Sequence, residues 1–180
     1  KMQIHREAPT QALTYWTLDG WTVELLYQKK VAKNKKANGE EKRYMMTTYT
    51  NRKTIVVVLD ACCKYPVGYA IGDHESPALI REALRNAVRH TKELFGDRYK
   101  PLQLQSDNYQ KGVMVPFYQA MTKYYTPAAL GNAKSKIIEP YFKYLNVQHC
   151  QKQGNWSGFG ITSDQDNQPN MEVINANRHL

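Results

Sequence analysis

The sequence is short of several things, and each shortage excludes a class of protein. Three cysteines, Cys62, Cys63 and Cys150, occur in 180 residues. They are odd in number and form no Cys-x-x-Cys pair, so neither a disulfide framework nor a zinc ribbon is indicated. His74 and the pair His149-Cys150 are further residues that zinc accepts, but adjacent ligands are poor tetrahedral geometry. A reducing, cytosol-like compartment fits this cysteine usage. No apolar run approaches the ~18 residues of a membrane span, and Lys1 to Leu13 is charged with no apolar core, so no signal peptide is read there. No helix-turn-helix or zinc module stands out, and no basic amphipathic helix. Acid is scarce as well. Asp and Glu number 16 against 25 Lys and Arg, a net charge of +9. That balance favours a polyanionic partner, nucleic acid before membrane.

What is present reads as one domain with a real core. Residues 1–12 form an entering arm, 13–150 the core, and 151–180 a polar extension expected to lead into a further domain. The extension has Trp156 and Phe159 as its anchors. Leu13 to Tyr27 is rich in aromatic and β-branched residues and reads as one long strand. Trp16, Leu18 and Gly20 share one of its faces, and Asp19 lies on the other with Trp21 and Val23. Gly20 in a strand points to a bulge or a close approach of backbone. An acid in an apolar strand is costly unless paired or metal-bound, which makes Asp19 a candidate carboxylate.

Lys29 to Arg43 is basic and contains Asn38-Gly39, a turn signal, so it reads as an exposed hairpin loop able to meet phosphates. Tyr44 to Thr50 follows as a strand, and Lys53 to Asp60 is the strongest strand of all. Its continuous Ile55-Val56-Val57-Val58-Leu59 predicts burial on both faces. Asp60 sits where a turn wants an Asp, and Val67 to Ile71 returns antiparallel. Three consecutive antiparallel strands result. Ser76-Pro77 opens a helix whose core face is Ile80, Ala83, Leu84, Ala87, Val88, Thr91, Leu94 and Phe95, with Gly96 ending it. Arg81, Arg85, Arg89 and Lys92 make its solvated face.

Leu102 and Leu104 alternate with Gln103 and Gln105 in the pattern of a half-buried strand, which runs into Ser106-Asp107-Asn108. Asp107 is thus an acid at a strand mouth, held by rigid backbone yet reachable. A helix from Lys111 to Tyr124 follows, with Pro116 near its first turn, then a short strand, Tyr125 to Leu130. Gly131 to Lys136 is a basic loop. Ile137 to Leu145 reads as a helix with Ile138, Tyr141, Phe142 and Leu145 inward, and Glu139, Lys143 and Asn146 on a second face. Pro140 requires that this helix start around Lys136–Glu139, or else kink.

The order is three antiparallel strands, a helix, a strand, a helix, a short strand and a helix. It matches an α/β, ribonuclease H-like fold: a mixed five-stranded sheet with helices on both faces. With Trp16-Thr17-Leu18-Asp19, Ser106-Asp107-Asn108 and Glu139 on their elements, the chain over Leu13 to Leu145 resembles the catalytic core of the DDE transposase and retroviral integrase superfamily. The spacing from Asp107 to Glu139 is similar to that of integrases, while Asn132 to Phe142 and the long first hairpin resemble the phage Mu transposase branch more than retroviral integrases. Tyr109 stands where integrases usually carry glycine, so the local turn differs.

The resemblance implies a metal-dependent polynucleotidyl transferase. Asp19, Asp107 and Glu139 would be its catalytic, metal-binding triad, with two Mg²⁺ (or Mn²⁺) ions expected when DNA is bound. Hard cations select carboxylate oxygens. Water would first free a 3′-hydroxyl, which then attacks target DNA. Lys134, Lys136 and Lys143 are the phosphate-contacting candidates. Mobile-element ends and target DNA are the implied partners, a homo-oligomer forms on DNA, and the setting is cytoplasmic in a bacterial or phage-derived system. Two alternatives stay open: a ribonuclease H-like nuclease that only hydrolyses, and a non-catalytic DNA-binding remnant.

Overall fold

The computed structural model describes residues 9–35, 41–107, 111–127 and 137–157. The elements in order are β1 (Tyr15–Thr22), β2 (Tyr27–Lys35), β3 (Glu41–Asn51), β4 (Thr54–Asp60), β5 (Pro66–Gly72), α1 (Pro77–Phe95), β6 (Gln103–Ser106), α2 (Lys111–Met121), β7 (Tyr124–Pro127) and α3 (Glu139–Gln148). The chain divides into two compact units, 1–22 with 54–143 and 23–53 with 144–180. The stretch 13–150, read from sequence as one core, is divided between them because the β2–β3 excursion is inserted between β1 and β4. No helix among the described residues is long and apolar enough to cross a membrane.

The first unit is an α/β structure built on a five-stranded mixed sheet in the order β5-β4-β1-β6-β7. β4 pairs antiparallel with both β1 and β5, whereas β6 is parallel to both β1 and β7. β1 therefore marks the change of direction. β4 is the central strand that its apolar run predicts: Val56, Val57, Val58 and Leu59 are all 2% exposed or less. Fully burying each such side chain is worth about 1.5–3 kcal/mol.

Because side chains alternate along a strand, β1 has two faces. Trp16 and Leu18 enter one core cluster with Val56, Val58, Ile80, Ala83, Leu84, Leu104, Met114 and Tyr118, so α1 and α2 cover that face. Trp21, on the opposite face, stacks on Phe142 of α3 with ring centroids 5.6 Å apart.

α1 is the best specified helix. The Ser76 hydroxyl accepts the Leu79 N–H at 3.2 Å, Pro77 opens the first turn, and Gly96 closes the helix at φ 77°. A left-handed cap of this kind is the conformation glycine adopts most cheaply. Ile80, Ala83, Leu84, Ala87 and Thr91 are buried as the periodicity requires. Leu94 and Phe95, read as core, are instead 48% and 56% exposed. The periodic stripe persists into the last turn, where Phe95 meets the edge of Tyr99 rather than the sheet.

Other boundaries shift for local reasons. The long first strand ends at Thr22, and Val23 donates to the Lys53 carbonyl at 2.8 Å as the chain leaves for the second unit. Lys29 to Arg43 is largely ladder rather than loop, since β2 and β3 pair antiparallel as a two-stranded sheet. Its Asn38-Gly39 turn lies outside the described residues. Leu102 is exposed and Gln105 buried, because β6 is flanked by strands on both sides and begins only at Gln103. Pro116 falls inside α2, not in its first turn, so the helix forgoes one backbone hydrogen bond there. Pro140 is the second residue of α3, where a missing N–H costs nothing, and no kink is needed.

In the second unit the segment 155–157 returns to residues 24–26. Leu25 bridges Trp156, Ser157 donates its N–H to the Glu24 carbonyl at 2.8 Å, and the Asn155 amide donates to the Leu26 carbonyl at 2.7 Å. Glu24 Oε2 accepts from Asn146 at 2.9 Å and from the Trp156 indole at 3.2 Å. Trp156 is the anchor that the sequence proposes for this segment; Phe159 lies outside the described residues. Asn146, read as an outward residue, is 5% exposed for the same reason.

Candidate functional site

β1 and β6 pair in parallel with Tyr15 against Gln103, Trp16 against Leu104 and Thr17 against Gln105. The offset of 88 between partners is constant over these pairs. The pairing ends there: Asp19 lies two residues further along β1, and Asp107 two residues beyond Gln105, just past the end of β6. One acid lies within β1 and the other is the first residue beyond β6. Both are partly buried. Asp19 Oδ1 accepts the N–H of Gly20 at 3.0 Å.

Gly20 has a specific reason to lack a side chain. A Cβ there would lie 2.5 Å from a carboxylate oxygen of Glu75. The β1–β4 register runs unbroken from Trp16 to Thr22, so there is no bulge. Close approach, the other reading of this glycine, is the one observed. What approaches is a side chain rather than a backbone. Glu75, the residue before the α1 cap, is absent from the sequence-derived site. There it reads only as part of a helix start, and nothing local in His74-Glu75-Ser76 announces the contact.

A polar network adjoins the Asp107 strand end. The Ser106 hydroxyl lies 2.9 Å from the Tyr125 hydroxyl and donates to the Asp107 carbonyl at 3.0 Å. The rings of Tyr118 and Tyr125 stack with centroids 4.9 Å apart. Burial holds the Tyr118 hydroxyl well above the ordinary tyrosine range. A bond to Ser106 opposes that shift, and the charges of Tyr125, Asp107 and Glu75 reinforce it. Burial raises Tyr125 as well, with Ser106 again opposing and Asp107 adding to the effect. The Asp107 charge therefore acts on both phenols.

Glu139 is the first residue of α3 and is exposed, as is Lys143 one turn later. Phe142 of the same helix stacks on Trp21, two residues beyond Asp19 on the same face of β1. Among the described residues, no three His, Cys, Asp or Glu side chains are gathered closely enough to hold a metal ion together. The β1–β6 register stops short of both acids, and Asp19, Asp107 and Glu139 do not form a compact group. Residues 128–136, with Lys134 and Lys136, lie outside the described residues, as does Asn108.

Asp60 takes the turn role. It is fully buried, accepting the Leu13 N–H at 3.3 Å, the Cys62 N–H at 3.2 Å and the Cys63 thiol at 2.9 Å. Burial first, then the bond to Asp60, raises the Cys63 thiol. With three donors from its own turn and entry segment, Asp60 serves the fold.

The comparisons with known proteins add no relative: no family model matches the chain, and no curated protein matches it.

Proposed function

We propose that this chain is the catalytic core of a DNA transposase or integrase, cleaving and joining DNA strands through Asp19, Asp107 and Glu139. The observation that supports the reading is the parallel pairing of β1, the strand that carries Asp19, with β6, the strand that ends one residue before Asp107. The strand order and the change from antiparallel to parallel neighbours at β1 are compatible with the ribonuclease H-like fold that the resemblance implies. A helix beginning with Glu139 follows β7, and its Phe142 meets the face of β1 that carries Asp19.

The donor chemistry fits Mg²⁺ or Mn²⁺. Carboxylate oxygens are the ligands that hard divalent ions select. Asp19 and Asp107 would hold the ion from adjoining chains, and Glu139 would complete the set from α3. Bound divalent ions supply positive charge to the entering and leaving oxygens of a phosphodiester. Lys143, exposed one turn from Glu139, would neutralise a phosphate of the bound strand, with Lys134 and Lys136 doing the same from the preceding segment.

Incubation of supercoiled plasmid with the chain and Mn²⁺ tests this. Nicking is expected, reduced at least about a hundredfold by Asp107→Asn, in keeping with loss of a group that supports the transition state. Nicking unchanged by that substitution would sink the assignment. Cleavage of DNA ends with no joining of the freed 3′-hydroxyl would reassign the chain to hydrolysis alone.

A further inference from the structure

We propose that the groove between α1 and α2 is a docking site for an acidic peptide segment carrying one apolar or aromatic anchor residue. The groove encloses about 450 Å³, within the range of cavities that seat compact ligands. Its floor is apolar, made by Leu84 and Val88 of α1 with Phe117 and Met121 of α2. Its rim is strongly basic, carrying Arg85, Arg89, Arg98 and Lys100 against one acid, Glu82. Arg89 pairs with Glu82 at 3.1 Å, which cancels one charge of each sign. Among the described residues Arg85, Arg98 and Lys100 make no ion pair. Three cations therefore surround an apolar floor.

The chemistry selects the occupant. An apolar side chain seated in a pocket, with charge complementarity at the rim, is the pattern by which peptide segments gain affinity and orientation. Nucleic acid fits less well. Phosphates need no apolar floor, so the apolar residues lining the groove would go unused by a backbone contact. The groove also belongs to the helices that cover the Trp16 and Leu18 face of β1, the face opposite Asp19. Occupation there leaves the proposed acids clear, so this inference does not rest on the reading of the chain as a transposase.

Fluorescence anisotropy with a labelled peptide, one tryptophan flanked on both sides by aspartates, is the test. Saturable binding is expected. It should weaken by about tenfold or more in the Arg85→Glu, Arg98→Glu double variant, and also when alanine replaces the peptide tryptophan. Absence of saturable binding below about 1 mM overturns the proposal. Equal binding of the peptide without its tryptophan overturns it too, since only polyelectrolyte attraction would remain. An oligothymidylate that loses affinity in the double variant while the peptide does not reassigns the groove to nucleic acid. Should charge reversal unfold the chain, Ala120→Trp fills the groove from an exposed position and keeps every charge. That variant must weaken peptide binding, and unchanged affinity contradicts the docking site.

Discussion

The two faces of β1 divide labour within eight residues. Trp16 and Leu18 on one face are buried in the cluster with α1 and α2, and they hold the fold. Asp19, between Leu18 and Gly20, contributes nothing to that cluster and lies on the strand that pairs in parallel with β6, the strand leading into Asp107. Alternation lets one strand serve both ends, because each face meets a different environment at every second residue. The lesson is that stability and the proposed chemistry are separable here: substitutions on one face should unfold the protein, and those on the other should silence it.

Substitutions on the apolar face should cost most. Leu104→Ala and Leu84→Ala, at side chains 1% exposed or less, are expected to lose about 2–5 kcal/mol, read as a lowered urea midpoint. A loss under about 1 kcal/mol at both would break the assignment of this face to the fold. Gly20→Ala comes next, at about 1–3 kcal/mol, because its Cβ meets the Glu75 carboxylate. The far end of a flexible side chain can be removed, so Glu75→Ala combined with Gly20→Ala should recover part of that loss. Ser76→Ala should cost about 1 kcal/mol through the lost N-cap bond.

Titration of Tyr118 gives a smaller effect. Its folded-state pKa is raised, so the fold favours the neutral phenol. That stabilisation is fully present below the ordinary tyrosine value of about 10 and is lost as pH rises toward the folded value. The unfolding free energy from urea titrations should fall by less than about 1 kcal/mol between pH 8 and about 10.5, with the decline flattened in Tyr118→Phe. Asp19→Asn and Asp107→Asn should move stability least, within about 0.5 kcal/mol. Large unfolding by either would make these acids structural and erase the contrast between the faces.

Much of the apolar side is legible in sequence because periodicity reports it directly. Val56 to Leu59 and Ile80, Ala83, Leu84, Ala87 and Thr91 are buried as their patterns require, while Ile55 and Val88 are only partly so, and Ser76, Pro77 and Gly96 mark the helix ends. The pattern misleads where an element outruns its support, as at Leu94 and Phe95, or where both faces are covered, as at Gln105. The positions of Asp19 within β1 and of Asp107 just past β6 are legible, since the strand patterns locate each acid on its element. Glu75 is not. Its approach to Gly20 joins residues 55 positions apart with no pattern linking them. β2 is likewise obscured, because a basic run interrupts the alternation that would announce a strand, whereas Tyr44 to Thr50, read as a strand, lies within β3.

The most direct test of the proposed site is a Mn²⁺ titration of the chain followed by the electron paramagnetic resonance signal of the free ion. Wild type should deplete free Mn²⁺, while Asp19→Asn and Asp107→Asn, still folded by circular dichroism, should each leave it in solution. Equal Mn²⁺ uptake by wild type and both variants would contradict a shared cation site at the junction of β1 and β6.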